Sequence, residues 1–389
     1  MCIQCSSFPR VLLMSCLLLI GSAARADSNE YLLIRQHLQI QRITLAEINE
    51  QSLVHLENDR WMTVDLDQCI ALLATDAKPR SYGGGVLILT DGQRFPGQPV
   101  AQPTHPDDEF SWSHQWLGQI VVSLQSIEAV LFGPTLRAPE PGDTDVLLLT
   151  NGDRFEGFLV SLGDPVVIEI ETESGEELVD IPRANVEAVR MVAHRTSPSG
   201  RRVWFRDGTV MDVTSLLIGD DGLLRLTSRW HSAGTKPAEI ERAQFDAMLF
   251  DPQRLLPLAT LSPDRIEGPK TRFIIPEPVK LQPDASLQLS PLEFNGPIVV
   301  RYLLPPDCTR FAAQAMIPDD ARHWADFELI IRGKDEVLFS QRMNAIHPRA
   351  DINIPLQGSE LTIELTEGAN GPIQDRLILN LPMLLIEPR

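Results

Sequence analysis

The sequence predicts an all-β chain of four tandem small β-barrel-like repeats followed by a β-sandwich. Three observations carry this expectation. Alanines recur at 71, 129, 188 and 247, at spacings of 58, 59 and 59. Asp-Gly or Asn-Gly pairs separate short apolar runs in the same region. Beyond about residue 271 the apolar residues alternate with polar ones and show no helical period.

The N-terminus comes first. Arg10, the short apolar run Val11–Gly21 and the small-residue end Ala24-Arg25-Ala26 form the pattern of a cleaved secretory signal over residues 1–26. The run is too short for a bilayer, which needs about 20 residues. Secretion, or placement in the periplasm or cell envelope, is therefore expected, with no membrane span after signal removal. The formal charge is −19, and losing Arg10 and Arg25 with the leader takes it to −21. So acidic a chain lacks the clustered Lys and Arg that nucleic acid or anionic membrane requires. A mature chain starting near Asp27 has more residues than one core organises. Cys2, Cys5 and Cys16 leave with the signal. Cys69 and Cys308 remain, and two buried free thiols are the expectation.

Within the repeats, Val86–Gly97 (VLILTDGQRFPG) and Val146–Gly157 (VLLLTNGDRFEG) match at eight of twelve positions. Val203–Val210 (VWFRDGTV) is a third, weaker copy. Each reads as strand, tight turn, strand, because Asp-Gly and Asn-Gly supply the positive φ of such a turn. The ends of the units match as well: Cys69–Leu72, Ile127–Val130, Val186–Val189 and Phe245–Met248. The expected units are 27–76, 82–134, 144–192 and 200–252. Phe155–Val160, Val166–Glu171 and Leu178–Pro182 alternate as strands do. A sheet that small must close or pack to hide its edges, and the units resemble SH3-like or Sm-like small barrels. Trp112, His114 and Trp116 fall on one strand face, more often a core arrangement than a binding one.

Residues 253–270 are rich in Pro and polar residues and read as a linker. Six or more strands follow, including Ile298–Leu304, Arg310–Ala315, Phe327–Arg332, Asp351–Ile354, Glu360–Leu365 and Leu377–Asn380. That pattern argues a β-sandwich over 271–389. Its carriers are Thr309-Arg310-Phe311, Asp319-Asp320, Phe327–Gly333, the Leu361/Ile363/Leu365 strand and Asp375. In that order they resemble the NPCBM/NEW2 family, a carbohydrate-binding module with a galactose-binding-like jelly roll. The family often places a Trp shortly after the position of Asp375, where this chain has Leu377–Leu379.

The resemblance implies a carbohydrate partner, and the residues suggest where it sits. Sugar sites pair an aromatic platform with fixed polar groups. Trp324, with His323, Asp319, Asp320 and Asp326 nearby, is the candidate platform, and Arg301 and Arg310 are candidate hydroxyl donors. The aspartates lack the dense spacing of a calcium loop. No G-x-S-x-G, H-E-x-x-H or Gly-rich phosphate loop occurs, so neither catalysis nor a cofactor is expected. The alternative reading is a protein-interaction scaffold built from the β repeats, with a protein as partner.

Overall fold

The computed structural model describes residues 30–57, 59–76, 84–100, 109–133, 138–173, 175–219, 221–230, 237–269, 276–334, 336–369 and 371–387. The expected signal peptide and its three cysteines lie outside these residues. The described chain is all-β.

Unit 1 holds β1–β5 (Glu30–Arg35, Gln39–Ile48, Ser52–Glu57, Arg60–Asp65, Cys69–Ala74). Unit 2 holds β6–β10 (Gly85–Leu89, Arg94–Pro99, Glu109–His114, Gly118–Ser123, Ile127–Leu131). Unit 3 holds β11–β15 (Asp145–Leu149, Arg154–Ser161, Val166–Thr172, Gly175–Ile181, Val186–Arg190). Unit 4 holds β16–β21 (Arg201–Phe205, Val210–Val213, Ser215–Ile218, Leu223–Thr227, Ala238–Glu241, Phe245–Leu249), its second strand broken in two. In every unit the last strand pairs with the first, the first with the second, and a meander follows. A 3-10 turn precedes each last strand.

The repeated turns explain the repeated residues. Asp91, Asn151 and Asp207 each accept, through a side-chain oxygen, the N–H two residues on. Gly92, Gly152 and Gly208 follow with φ of 82°, 91° and 94°, which residues bearing a Cβ rarely adopt. The glycine that closes each motif copy has a different reason. A Cβ on Gly97 would stand 2.1 Å from Ser113 O, and one on Gly157 would stand 2.1 Å from Glu169 O. The next strand crosses too closely for any side chain.

No ladder among the described residues joins the fourth and fifth strands, so the units are open curled sheets rather than closed barrels. One edge of each unit is covered by another unit. Last strands pair antiparallel, β5 with β21 about Leu72 and Met248, and β10 with β15 about Val130 and Val189. Units 1 and 4 thus form one pseudo-twofold pair and units 2 and 3 another. The recurrent alanines Ala71, Ala129, Ala188 and Ala247 lie on these four strands and are buried. One apolar core runs through all four units, through Leu33, Leu87, Leu147 and Val203 among others. The strand of Trp112 and His114 belongs to it. Trp112 is fully buried and donates from Nε1 to Phe95 O, and Trp116 packs on Phe205 of unit 4.

The remainder is a sandwich. One sheet holds β22 (Leu255–Pro257), β24 (Val279–Lys280), β25 (Leu292–Asn295), β27 (Cys308–Met316), β30 (Arg349–Pro355) and β32 (Arg376–Ile386). The other holds β23 (Arg265–Glu267), β26 (Ile298–Leu303), β28 (Asp326–Gly333), β29 (Glu336–Asn344) and β31 (Glu360–Glu367). The segment expected as a linker is thereby corrected. Residues 253–270 supply β22, which pairs with β32, and β23, which pairs with β26. Leu255 and Leu258, among its prolines, bury in apolar clusters and tie the segment down. The sandwich also packs on the repeats. Leu287, Ala312 and Met383 share a cluster with Ile34, Trp204 and Ala247 of units 1 and 4. Cys69 and Cys308 are free and buried, and burial raises both thiols to about 11. No helix among the described residues is long and apolar enough to cross a membrane.

Candidate functional site

Four connections meet at one end of the sandwich: β25 to β26, β27 to β28, β29 to β30, and β31 to β32. The β27–β28 connection is a compact turn. Ala321 N donates to Pro318 O, and both Trp324 N and Ala325 N donate to Ala321 O. Ala321 and Ala325 point into the core, which leaves Trp324 at the surface with 55 % of its area exposed. A flexible loop would spend binding energy on ordering such a ring; this turn holds it in advance. His323 stands edge-on to it at 6.1 Å.

Fixed charges surround the turn. Arg376 donates from Nη1 to Asp320 Oδ2 at 2.6 Å and from Nε to Glu293 Oε1 at 2.6 Å, clamping the turn to β25. The guanidinium holds the Asp320 carboxyl below its ordinary value. Asp326 does something else. Its carboxylate is buried and takes both Nε and Nη2 of Arg342 at 2.7 Å, and it also accepts Ala369 N at 3.0 Å. Its own N–H donates to Asp375 Oδ1 at 3.1 Å. The Arg342 bond keeps its carboxyl below the usual range. Asp326 therefore ties the start of β28 to β29 and to the β31–β32 connection rather than facing a ligand.

The structure thus brings Trp324, Asp319, Asp320 and Asp326 to one end and leaves the two arginines elsewhere. Arg301 lies on β26, ion-paired with Asp264. Arg310, at the start of β27, donates to Asn353 Oδ1 at 2.8 Å. Asn353 in turn donates to His37 O of unit 1 at 3.1 Å, so Arg310 borders the packed junction between sandwich and repeats. Asp320 and Asp326 turn to different arginines, and among the described residues no cluster of three or more His, Cys, Asp or Glu is placed to hold a metal. Sequence reasoning missed Arg342, Arg376, Ile346 and Ile373. The isoleucines sit exposed on the β29–β30 and β31–β32 connections of the same end. An isoleucine in a turn between strands was the available signal for each.

Comparison with known proteins finds neither a matching family model nor a matching curated protein. The NPCBM/NEW2 resemblance thus has no family-model match behind it. Beside an insecticidal delta-endotoxin of Bacillus thuringiensis and an exo-β-1,3-galactanase of Phanerochaete chrysosporium, the solved structures that resemble the chain include carbohydrate-binding modules. One is a CBM51 module of a Clostridium perfringens GH95 protein in complex with methyl-galactose, at 13 % identity and TM-score 0.28, over 33 % of this chain and 99 % of that one. Another is the pair of CBM51 modules of a family 98 glycoside hydrolase from Streptococcus pneumoniae, at 8 % identity and TM-score 0.29, over 92 % and 88 %. A tandem CBM22 pair from Paenibacillus barcinonensis matches at 11 % identity and TM-score 0.21, over 89 % and 91 %. With TM-scores this low the likenesses carry no functional weight.

Proposed function

We propose that this is an exported, non-catalytic protein that binds carbohydrate at the loop end of its C-terminal sandwich. The observation that carries the reading is Trp324, an exposed ring held by a turn closed by three backbone hydrogen bonds. Stacking of a ring on the apolar face of a sugar needs such a preset platform. The exposed carboxylates of Asp319 and Asp320 and the ring of His323 supply acceptors and donors for hydroxyls, as the sequence suggests. Ile346 and Ile373 extend the apolar rim. Asp326, Arg342 and Arg376 act behind this surface, holding the connections in register.

The test is a glycan array probed with the full chain and with Trp324→Ala. The expected result is selective retention of one glycan class, lost by about tenfold or more in the variant, the scale of one aromatic contact. Retention that is equal in the variant would place the binding elsewhere.

A further inference from the structure

Unit 3 differs from units 2 and 4 in what it shows to solvent. Cross-strand pairing puts Phe158, Glu169 and Leu178 in one row across β12, β13 and β14. The next row is Glu171 opposite Glu176, and the row before it is Val167 opposite Asp180. All seven side chains share the outer face, because residues two apart on a strand point the same way. Phe158 is 65 % and Leu178 61 % exposed. The exposed face of β12 also carries Arg154, which is ion-paired with Glu156 at 2.9 Å, and among the described residues β14 is an edge strand that pairs only with β13.

The corresponding rows in units 2 and 4 are neutral or already satisfied. In unit 4 the row is Leu217, Arg225 and Glu239, where Arg225 pairs with both Asp221 and Glu239. In unit 2 it is Gln98, Ser113 and Gln119. Beside the unit 3 face opens a cleft of about 1210 Å³ between units 2 and 3, with Leu124, Phe158, Ile170 and Met191 on its walls. Asp143, Glu169, Glu171 and Glu176 also line it. Its one described arginine, Arg229, is committed to Asp91 at 2.8 Å.

We propose that this face and cleft dock an extended protein segment that carries both Lys or Arg and apolar side chains on one face, at every second position. The mixture follows from the face itself, where apolar side chains and carboxylates stand side by side within rows, Phe158 and Leu178 flanking Glu169 and Val167 opposite Asp180. Opposite charges across such rows stabilise pairing, and like charges oppose it. The apolar residues of the partner cover Phe158 and Leu178, and its cations answer the carboxylates. The reading is independent of the sugar site, which lies on the sandwich.

The experiment is fluorescence anisotropy of a labelled decapeptide that carries Lys and Val in turn at every second position, with Ser between them, titrated with the full chain at low and at physiological salt. The same decapeptide with Glu in place of Lys serves as the control probe. One variant carries Glu169→Gln, Glu171→Gln and Glu176→Gln; a second carries Phe158→Ser. A charge-matched control carries Glu47→Gln, Asp65→Asn and Asp67→Asn in unit 1. The expected result is salt-sensitive binding of the Lys peptide alone. It weakens about tenfold in each of the first two variants, and the unit 1 control changes it by less than about twofold. Equal weakening by both charge triples would mean general attraction to an acidic chain and would overturn the proposal. So would failure to bind the peptide, leaving the acids as a guard against edge pairing, or a self-dimer abolished by Phe158→Ser.

Discussion

Acid should weaken the four-unit core through His114. This imidazole is buried on β8, at the junction of units 2 and 4. Its Nε2 lies 3.0 Å from Thr209 Oγ1, and the Thr209 hydroxyl donates to Asp207, so Nε2 carries the proton. Nδ1 accepts from Trp116 N and Leu117 N, both at 3.3 Å. A second proton would enter a buried site and face two N–H donors. Burial accordingly pushes the pKa down to about 4. In the unfolded chain it returns to about 6.5. Between those values the unfolded chain binds more protons, so stability falls as pH drops. The contribution is intact above pH ~6.5. The gap corresponds to about 3 kcal/mol, of which about 2 kcal/mol is lost by pH 5. Urea unfolding followed by tryptophan fluorescence, at pH 7.5 and 5, checks this for the native chain and His114→Gln. The native chain should lose about 2 kcal/mol more than the variant on acidification. Equal losses, or a His114 NMR titration centred near 6.5, would refute the reasoning.

Three other perturbations test the same frame. Arg202 and Asp212 form a buried pair at 2.7 Å, with Arg202 Nη1 also donating to Asp91 O of unit 2. Asp212→Ala strands that arginine and should cost about 3–5 kcal/mol in urea unfolding, while Arg202→Met with Asp212→Leu should cost much less. Gly157→Ala forces β12 from β13 and should destabilise by at least about 1–3 kcal/mol, whereas Gly152→Ala, with open space at its Cβ, should cost only its positive φ. Asp326 has a depressed carboxyl, so its contribution is present above the unfolded value near 4 and is lost as pH falls through the folded one. Asp326→Asn should therefore lower the sandwich melting temperature at pH 7 and converge with the native chain in strong acid.

The repeat was legible because its residues have local causes. Asx turns followed by positive-φ glycines, and alanines on packed strands, leave the same letters at the same spacing. Unit 1 lacks the turn letters because a 3-10 turn at Gln36–Leu38 replaces the Asp-Gly hairpin, and only its Ala71 strand revealed it. The pairing of unit 1 with 4 and 2 with 3 was not legible. It depends on which last strands meet, and all four carry nearly the same sequence. The linker reading of 253–270 failed for a related reason. Its prolines suit an edge strand as well as a tether, and only the partner β32 decides between them. At the sandwich, Trp324 and its neighbouring aspartates could be read as a cluster because they are adjacent in sequence. Arg301 and Arg310 could not be placed, since strand alternation alone does not say which sheet face another domain covers.

The central claim is that Trp324 is the contact surface for a sugar. Fluorine NMR of the full chain labelled with 5-fluorotryptophan tests it directly, with the Trp324 resonance assigned through Trp324→Phe. Titration with the glycan class retained on the array should shift that resonance and leave the buried Trp112 and Trp204 signals in place. A glycan that binds while the Trp324 signal stays fixed, or that moves exposed Trp61 of unit 1 instead, would contradict the account.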